Sequence, residues 1–194
     1  EENQVELTGI DTKLDKAKED EDETAIMDEM VAKADMLFRI GHKNEALEVI
    51  KAALGEAHVS TGQKIDLELK AVRIALFFGD TELMKEHITL CGALVEEGGD
   101  WDRRNRLKVY NGTYHMLIRD FSAAAEDLIS SIATFTSYEV MDYQTFIQRT
   151  VYLSLYHLPR SELKDKVINS PDVRQVIREK LDVKNFLESL YKCD

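Results

Sequence analysis

Residues 72–94 read VRIALFFGDTELMKEHITLCGAL, and this stretch decides the fold. Apolar residues recur every three or four positions on both sides of Gly79, a spacing typical of amphipathic α-helices. Glycine commonly ends a helix, and Asp80 or Thr81 offers a side-chain oxygen that can cap the next one. The stretch therefore predicts a helical hairpin whose turn lies at Gly79.

Similar stretches lie on both sides of this hairpin. Residues 34–54 (ADMLFRIGHKNEALEVIKAAL) predict a turn at Gly41, and residues 112–132 (GTYHMLIRDFSAAAEDLISSI) predict one at Arg119-Asp120. The turns are 38 and 40 residues apart, somewhat more than the period of about 34 of a tetratricopeptide repeat, or TPR. We therefore predict an all-α fold, a right-handed α-solenoid of TPR-like helical hairpins.

The second helix of each predicted hairpin carries small or apolar residues at matching positions. Small residues let two helices approach closely, and the larger apolar ones fill the groove between neighbouring helices. We therefore predict that these positions lie where neighbouring helices pack. They are Ala46, Ile50 and Ala53; Met84, Ile88 and Cys91; and Ala124, Leu128 and Ser131.

The remaining sequence also favours helices. Two prolines and nine glycines in 194 residues leave few breaks for a many-stranded β fold. One helix is predicted to stop at Pro159, and shorter helices are predicted at residues 161–169, 172–180 and 183–192. Ser161, Ser170 and Asp182 are the respective candidates for the residues that start these three helices.

The chain is acidic, with a formal net charge of −12. This balance disfavours nucleic acid and anionic membranes as partners. No apolar run approaches the ~20 residues of a membrane span, and the first residues do not read as a secretory signal. Cys91 and Cys193 are far apart in the sequence. Two unpaired thiols fit the cytoplasm and nucleus better than secretion.

Residues 1–24 hold ten acidic and three basic residues. This charge density and the few apolar residues predict an acidic N-terminal arm that is extended or loosely helical and contributes little to the core. The helical-repeat domain is then predicted to span residues 25–194. A second hypothesis is that the arm contacts a basic partner.

No catalytic, cofactor-binding or metal-binding set of residues is evident. The five histidines, at positions 42, 58, 87, 115 and 157, are scattered. His87 and Cys91 have the spacing of metal ligands on a helix, but two further ligands are not apparent. Aromatic residues such as Phe77 and Phe78 have helical spacing, which favours a place in the core over a base-stacking role.

The segment GDWDRRNRLKVY, at residues 99–110, concentrates basic residues within an otherwise acidic chain. We call these residues the basic cluster and take them as candidate partner-binding residues. They are Arg103, Arg104, Arg106 and Lys108. Three interpretations stay open. The cluster can form ion pairs within the chain, dock onto an acidic partner helix or, least favoured in so acidic a chain, bind nucleic acid. The acids expected to form the internal ion pairs are Glu96, Glu97, Asp100 and Asp102.

Helical spacing also divides this stretch into two faces. Residues three or four apart share a helix face, so we predict that Leu107 and Tyr110 are buried and that Arg104 and Lys108 are exposed. Trp101, at the start of the predicted helix, is expected to be partly buried and to fix the turn after Gly98-Gly99.

Two long and unusual segments carry a resemblance to a known family. They are GDWDRRNRLKVY and, at residues 134–146, TFTSYEVMDYQTF; MVAKADMLFRIGHKNEAL at residues 30–47 and FLESLYKCD at residues 186–194 extend it. Together they resemble the non-ATPase regulatory subunit 6 family of the 26S proteasome, which are PCI-class subunits of the lid. The sister PCI subunit of the COP9 signalosome is similar in architecture but less like the first segment.

This resemblance implies a function. Family members have a helical-repeat arm followed by a winged-helix PCI module, so residues 25–194 are expected to lead into an absent or incomplete PCI module. The implied role is a non-catalytic scaffold for lid assembly in ubiquitin-dependent protein degradation. The implied partners are other lid subunits and the ATPase base, with no small-molecule substrate. The alternatives are a free-standing TPR-like peptide-binding adaptor and the COP9 signalosome subunit.

Overall fold

A computed structural model describes residues 2–193, which form helices and contain no β-strand. The all-α class predicted from the sequence is thereby confirmed. The α-helices are α1 (Glu2–Glu19), α2 (Glu23–Arg39), α3 (Lys43–Leu54), α4 (Thr61–Phe78), α5 (Thr81–Gly98), α6 (Trp101–Leu117), α7 (Phe121–Ser130), α8 (Tyr143–His157), α9 (Arg160–Leu163), α10 (Pro171–Ile177) and α11 (Leu181–Lys192). A 3-10 turn (Ile132–Thr134) follows α7, and a π-helical turn (Lys164–Ile168) follows α9.

The predicted hairpin turns are confirmed. Gly41 and Gly79 have φ angles of +87° and +69°, in the left-handed region that glycine adopts without steric cost. Arg119 occupies the third turn with φ of +63°. Glu21, with φ of +52°, forms an additional turn of the same kind between α1 and α2.

The residue after each left-handed turn starts the next helix. Asp22, Asp80 and Asp120 each accept hydrogen bonds from backbone N–H groups of the first turn, at 3.1, 3.0 and 3.2 Å. Such caps satisfy donors that a helix start would otherwise leave open. His42 holds the equivalent place before α3 without a side-chain capping bond. A left-handed residue followed by aspartate is thus the local signal for three of the four turns.

An ion pair connects two successive turns. Lys43, in the first turn of α3, donates to the Oδ2 atom of Asp80 at 2.6 Å. This bond and the bond from the Leu83 N–H lower the pKa of the Asp80 carboxyl group. Asp80 therefore caps α5 and ties it to the preceding hairpin.

The chain divides into two compact units, residues 1–100 and residues 101–194. The first contains α1 to α5, and each of these helices packs against the next. The nine matching positions of the three second helices are all buried, at 9% exposure or less, as expected where neighbouring helices pack. The repeat spacing therefore identified the core of both units.

Helix α1 differs from the predicted loose arm. It is a regular helix on which Leu14 and Ala17 are buried, at 8% and 6% exposure, and Leu14 belongs to the core cluster of the first unit. Lys33 on α2 pairs with Asp11 at 2.7 Å. The prediction that this segment contributes little to the core is wrong for these residues, because one face of α1 carries enough apolar side chains to pack on α2. The boundary at residue 24 stays a prediction.

Two aromatic residues also differ from prediction. Phe77 and Phe78, expected in the core, are 71% and 39% exposed. The core face of α4 is taken by Val72, Ile74 and Ala75, which are fully buried. Phe77 and Phe78 come after them, in the last turn of the helix.

The second unit is built around α8. A core cluster joins α7, α8 and the short helices that follow, and it includes Leu128, Phe146, Val151, Val173 and Leu187. Helix α8 ends before Pro159, as predicted, and Ser170 caps α10 through the Val173 N–H. The other two short helices begin at Arg160 and Leu181, one and two residues before their predicted starts. Ser161 and Asp182 lie inside these helices, so the prediction that they start them is wrong.

Candidate interaction site on helix α6

Helix α6 begins after a turn that requires glycine. A Cβ atom added to Gly99 would lie 2.8 Å from the Cα atom of Val95, which is too close for any side chain. Trp101 was expected to be partly buried and to fix this turn, but it is 66% exposed. That expectation is wrong, because the close approach of Gly99 to α5 sets the turn and leaves Trp101 pointing to solvent.

The members of the basic cluster differ in exposure. Arg104 is exposed, as predicted, whereas Arg103, Arg106 and Lys108 are half-buried. The prediction that Lys108 is exposed is therefore wrong. The two apolar predictions are confirmed, since Leu107 and Tyr110 are 8% and 0% exposed.

Three side chains of α6 bind one segment of the same unit. Residues 131–142, which link α7 to α8, form what we call the connecting segment. Arg106 donates to Oε1 of Glu139 from Nε at 3.2 Å and from Nη2 at 2.9 Å. The Tyr110 hydroxyl donates to the same oxygen at 3.0 Å, and Thr136 donates to Asp102 at 3.0 Å. The two sequence segments that carry the family resemblance are thus bonded to each other.

Aromatic packing also holds the connecting segment in place. The ring of Phe135 stacks on Phe146 of α8 with a centroid distance of 4.4 Å, and Tyr138 meets Phe135 edge-on at 5.2 Å. Asp142 caps α8, where hydrogen bonds from the Thr145 N–H and hydroxyl lower its pKa. The carboxylate of Glu139 is therefore presented to Arg106 by a segment with little freedom to move.

Lys108 lies near a second acidic group. Burial raises the pKa of the Asp127 carboxyl group on α7, although the hydrogen bond from His115 and the charge of Lys108 act in the opposite direction. The His115 Nδ1 atom lies 3.0 Å from Asp127 Oδ2. Arg106 and Lys108 are thus engaged electrostatically inside their own unit.

Helices α6 and α7 approach closely beside this pair. A Cβ atom added to Gly112 would lie 2.6 Å from Cδ2 of Leu128, a side chain with no exposed surface. Glycine at this position allows the two helices to come together and brings His115 within reach of Asp127. The approach depends on backbone contact and had no signal in the sequence pattern.

Potential metal ligands do not gather in the described part of the chain. Among residues 2–193, no three histidine, cysteine or acidic side chains converge as metal ligands would. His87, considered above with Cys91 as a ligand pair, instead contacts Oε2 of the buried Glu68 on α4 at 2.6 Å. Within the same residues, none of the helices has the length and apolar content to cross a membrane.

Sequence reasoning identified Arg106 and Tyr110 but missed their acceptor. Glu139 is 33 residues from Arg106 in the sequence, so no helical spacing relates them. The only available signal was that both segments are unusual and resemble the same family. The role of the basic cluster in binding a partner stays a prediction.

Comparison with known proteins gives a consistent result. The family described as 26S proteasome subunit RPN7 matches residues 1–166. The chain is 40% identical over 193 residues to the 26S proteasome non-ATPase regulatory subunit 6 of Dictyostelium discoideum, covering 100% of this chain and 50% of that protein. It is 41% identical over 191 residues to the homolog of that subunit from Arabidopsis thaliana, covering 98% and 49%.

A yeast relative and a solved structure extend the comparison. The 26S proteasome regulatory subunit RPN7 of Saccharomyces cerevisiae is 34% identical over 176 residues, covering 90% of this chain and 41% of that protein. The chain thus spans about half the length of the curated relatives it matches. The crystal structure of BtubC (BKLC) from P. vanneervenii has a similar fold, with a TM-score of 0.61, 13% identity and coverage of 98% and 91%.

Proposed function

Because the chain belongs to the RPN7 family of 26S proteasome regulatory subunits, we propose that it is a non-catalytic structural subunit of the regulatory particle lid. In this role it supports assembly of the lid and thereby ubiquitin-dependent protein degradation. Its partners are other lid subunits and the ATPase base, and it works in the cytoplasm and nucleus.

One observation carries this proposal. Similarity to proteins named as regulatory subunits runs along the whole chain, and the segments that carry it most visibly are bonded together through Glu139. Hydrogen bonds of this kind hold a surface in shape, which is what a scaffold requires. Stacked helical hairpins also provide extended binding surface without an enclosed pocket.

The exposed end of the basic cluster supports a more specific proposal. Arg104 is exposed on α6, and its charged group can therefore be reached by another protein. We propose that Arg104 contacts an acidic surface of a neighbouring subunit, with Arg103 beside it. Charge complementarity of this kind chiefly favours the correct partner and speeds association.

The test is co-expression of the chain with lid subunits, followed by size-exclusion chromatography. We expect the chain to co-elute with them. Arg104→Glu should reduce co-elution, whereas Lys85→Glu, the same charge reversal at an exposed position of α5, should not. A chain that elutes alone would contradict the proposed function. Co-elution that is equally strong with Arg104→Glu would contradict only the role of Arg104.

A further inference from the structure

The first unit has a groove between α2 and α4 that the proposed function does not use. Two recesses adjoin there, with volumes of about 200 Å³ and about 140 Å³. Met27 and Gln63 line both of them. A cavity of about 150 Å³ admits a group the size of benzene, so each recess has room for one large side chain.

The floor of the groove is apolar. Met27 on α2, Val59 before α4 and Leu67 on α4 contribute side chains that are 7%, 9% and 3% exposed. All three belong to the core cluster of the first unit. The floor is therefore held in place by the core, so the groove exists before any partner arrives.

The rim of the groove is acidic. Glu23 and Glu56 line the first recess, and Asp28 and Asp66 line the second. His58 lies 2.8 Å from Glu23, so these two rim groups contact each other, and Lys70 is paired with Asp35. Three acidic rim residues lie outside these two pairs: Glu56, Asp28 and Asp66. Four further acidic residues, at positions 19–22, come directly before the first residue of α2. The groove thus combines an apolar floor with a surplus of negative charge.

The recesses follow one another along α2 by about one helical turn. The first is lined by residues 23–27 and the second by residues 27–31. One turn of a helix advances about 5.4 Å, which is also the separation of side chains four positions apart on one face of a partner helix. The geometry therefore fits two anchoring side chains on successive turns.

We propose that this groove binds a basic amphipathic helix of another protein. Lysine and arginine side chains place their aliphatic stems on apolar surface and keep the charged group at the rim, which matches a floor of Met27, Val59 and Leu67 below carboxylates. Leucine-type residues of the same helix face fill the rest of the recesses. This binding mode lays an amphipathic helix into a hydrophobic groove.

The inference goes beyond the scaffold role and does not depend on it. Incorporation into a proteasome lid is tested by co-elution with lid subunits, whereas the groove is tested with synthetic peptides and the isolated chain. Failure of either experiment therefore leaves the other result standing.

The test follows isotope-labelled methionine methyl groups of the full chain by NMR during titration with a short helical peptide of lysine, leucine and alanine. We expect the Met27 signal to shift and saturate, while Met84 on α5 and Met116 on α6 stay unchanged. Two control peptides carry glutamate in place of lysine, or serine in place of leucine. Neither should shift Met27.

Variants of the chain complete the experiment. Asp28→Asn combined with Glu56→Gln should weaken peptide binding roughly tenfold, since two rim carboxylates are lost. Glu82→Gln combined with Glu86→Gln, an equal loss of exposed charge on α5, should leave binding unchanged. Three outcomes would overturn the proposal: no saturable shift of Met27, equal binding of either control peptide, or equal weakening by both double variants.

Discussion

Glu139 is central to the contact between α6 and the connecting segment. Its Oε1 atom accepts hydrogen bonds from both Arg106 and Tyr110. The Arg106 and Glu139 side chains are 20% and 22% exposed. Charge-assisted hydrogen bonds with this degree of shielding are stronger than those on an open surface.

A double-mutant cycle measures this contact. We expect the Arg106→Ala and Glu139→Ala changes to show a coupling free energy of about 1–2 kcal/mol in urea unfolding. The exposed pair Lys166 and Glu162, at 51% and 48% exposure, is the matched control and should show about 0.3–0.5 kcal/mol. Equal coupling free energies in the two cycles would mean that the pair of Arg106 and Glu139 contributes no more than an exposed ion pair.

Asp127 and Asp142 should affect stability with opposite dependence on pH. Burial raises the pKa of Asp127 above 3.8, so the folded state binds its proton more tightly than the unfolded state does. Its contribution to stability is therefore present below pH 3.8 and is lost as the pH rises through the raised value. Hydrogen bonds from Thr145 lower the pKa of Asp142, so its contribution is present above pH 3.8 and is lost as the pH falls.

Unfolding experiments between acidic and neutral pH can separate these two effects. For each variant, the measured quantity is the free energy of unfolding of the wild type minus that of the variant. We expect this difference to decrease with rising pH for Asp127→Asn and to increase with rising pH for Asp142→Asn. If both differences changed in the same direction with pH, the environments described for these two carboxyl groups would be wrong.

At the scale of helices, the contact of α6 with α7 depends on Gly112. Because a Cβ atom there would overlap Leu128, we expect Gly112→Ala to destabilise the chain by about 1–3 kcal/mol, the usual cost of overpacking. Gly92 lies within α5 and has open space around it. Gly92→Ala should therefore stabilise by about 0.5–1 kcal/mol through helix propensity. Thermal unfolding measures both, and a stabilising Gly112→Ala would refute the close approach.

Packing of α1 gives a second prediction for a helix. Leu14→Ala should lower the free energy of unfolding by about 2–3 kcal/mol, because it removes a buried side chain from the core cluster. Val5 lies on the same helix and is 73% exposed, so Val5→Ala should have almost no effect. Equal, small effects of both changes in urea unfolding would restore the interpretation of α1 as an acidic arm without structural contribution.

The helices could be predicted from the sequence more accurately than the contacts between them. A period of 38 and 40 residues located three turns and nine buried positions, because left-handed turns, aspartate caps and apolar spacing are all local features. The bond from Arg106 to Glu139 joins residues that only the fold brings together. The packing of α1 was missed for another reason. The ten acidic residues among residues 1–24 favoured an exposed segment, although a short apolar face of α1 carries Leu14 and Ala17.

At the scale of the whole molecule, membership of the RPN7 family is the ground for the structural role proposed above. The two binding surfaces proposed above lie at the exposed end of the basic cluster and in the groove between α2 and α4. The two surfaces have opposite charge, so they would select different partners.

Native mass spectrometry of complexes purified from cells through the tagged full chain tests the scaffold role most directly. We predict that the chain occurs in one stoichiometric complex with the other subunits of the proteasome lid, because a scaffold is a permanent part of the assembly it supports. A chain recovered alone, in substoichiometric amounts, or with subunits of the COP9 signalosome would contradict the account.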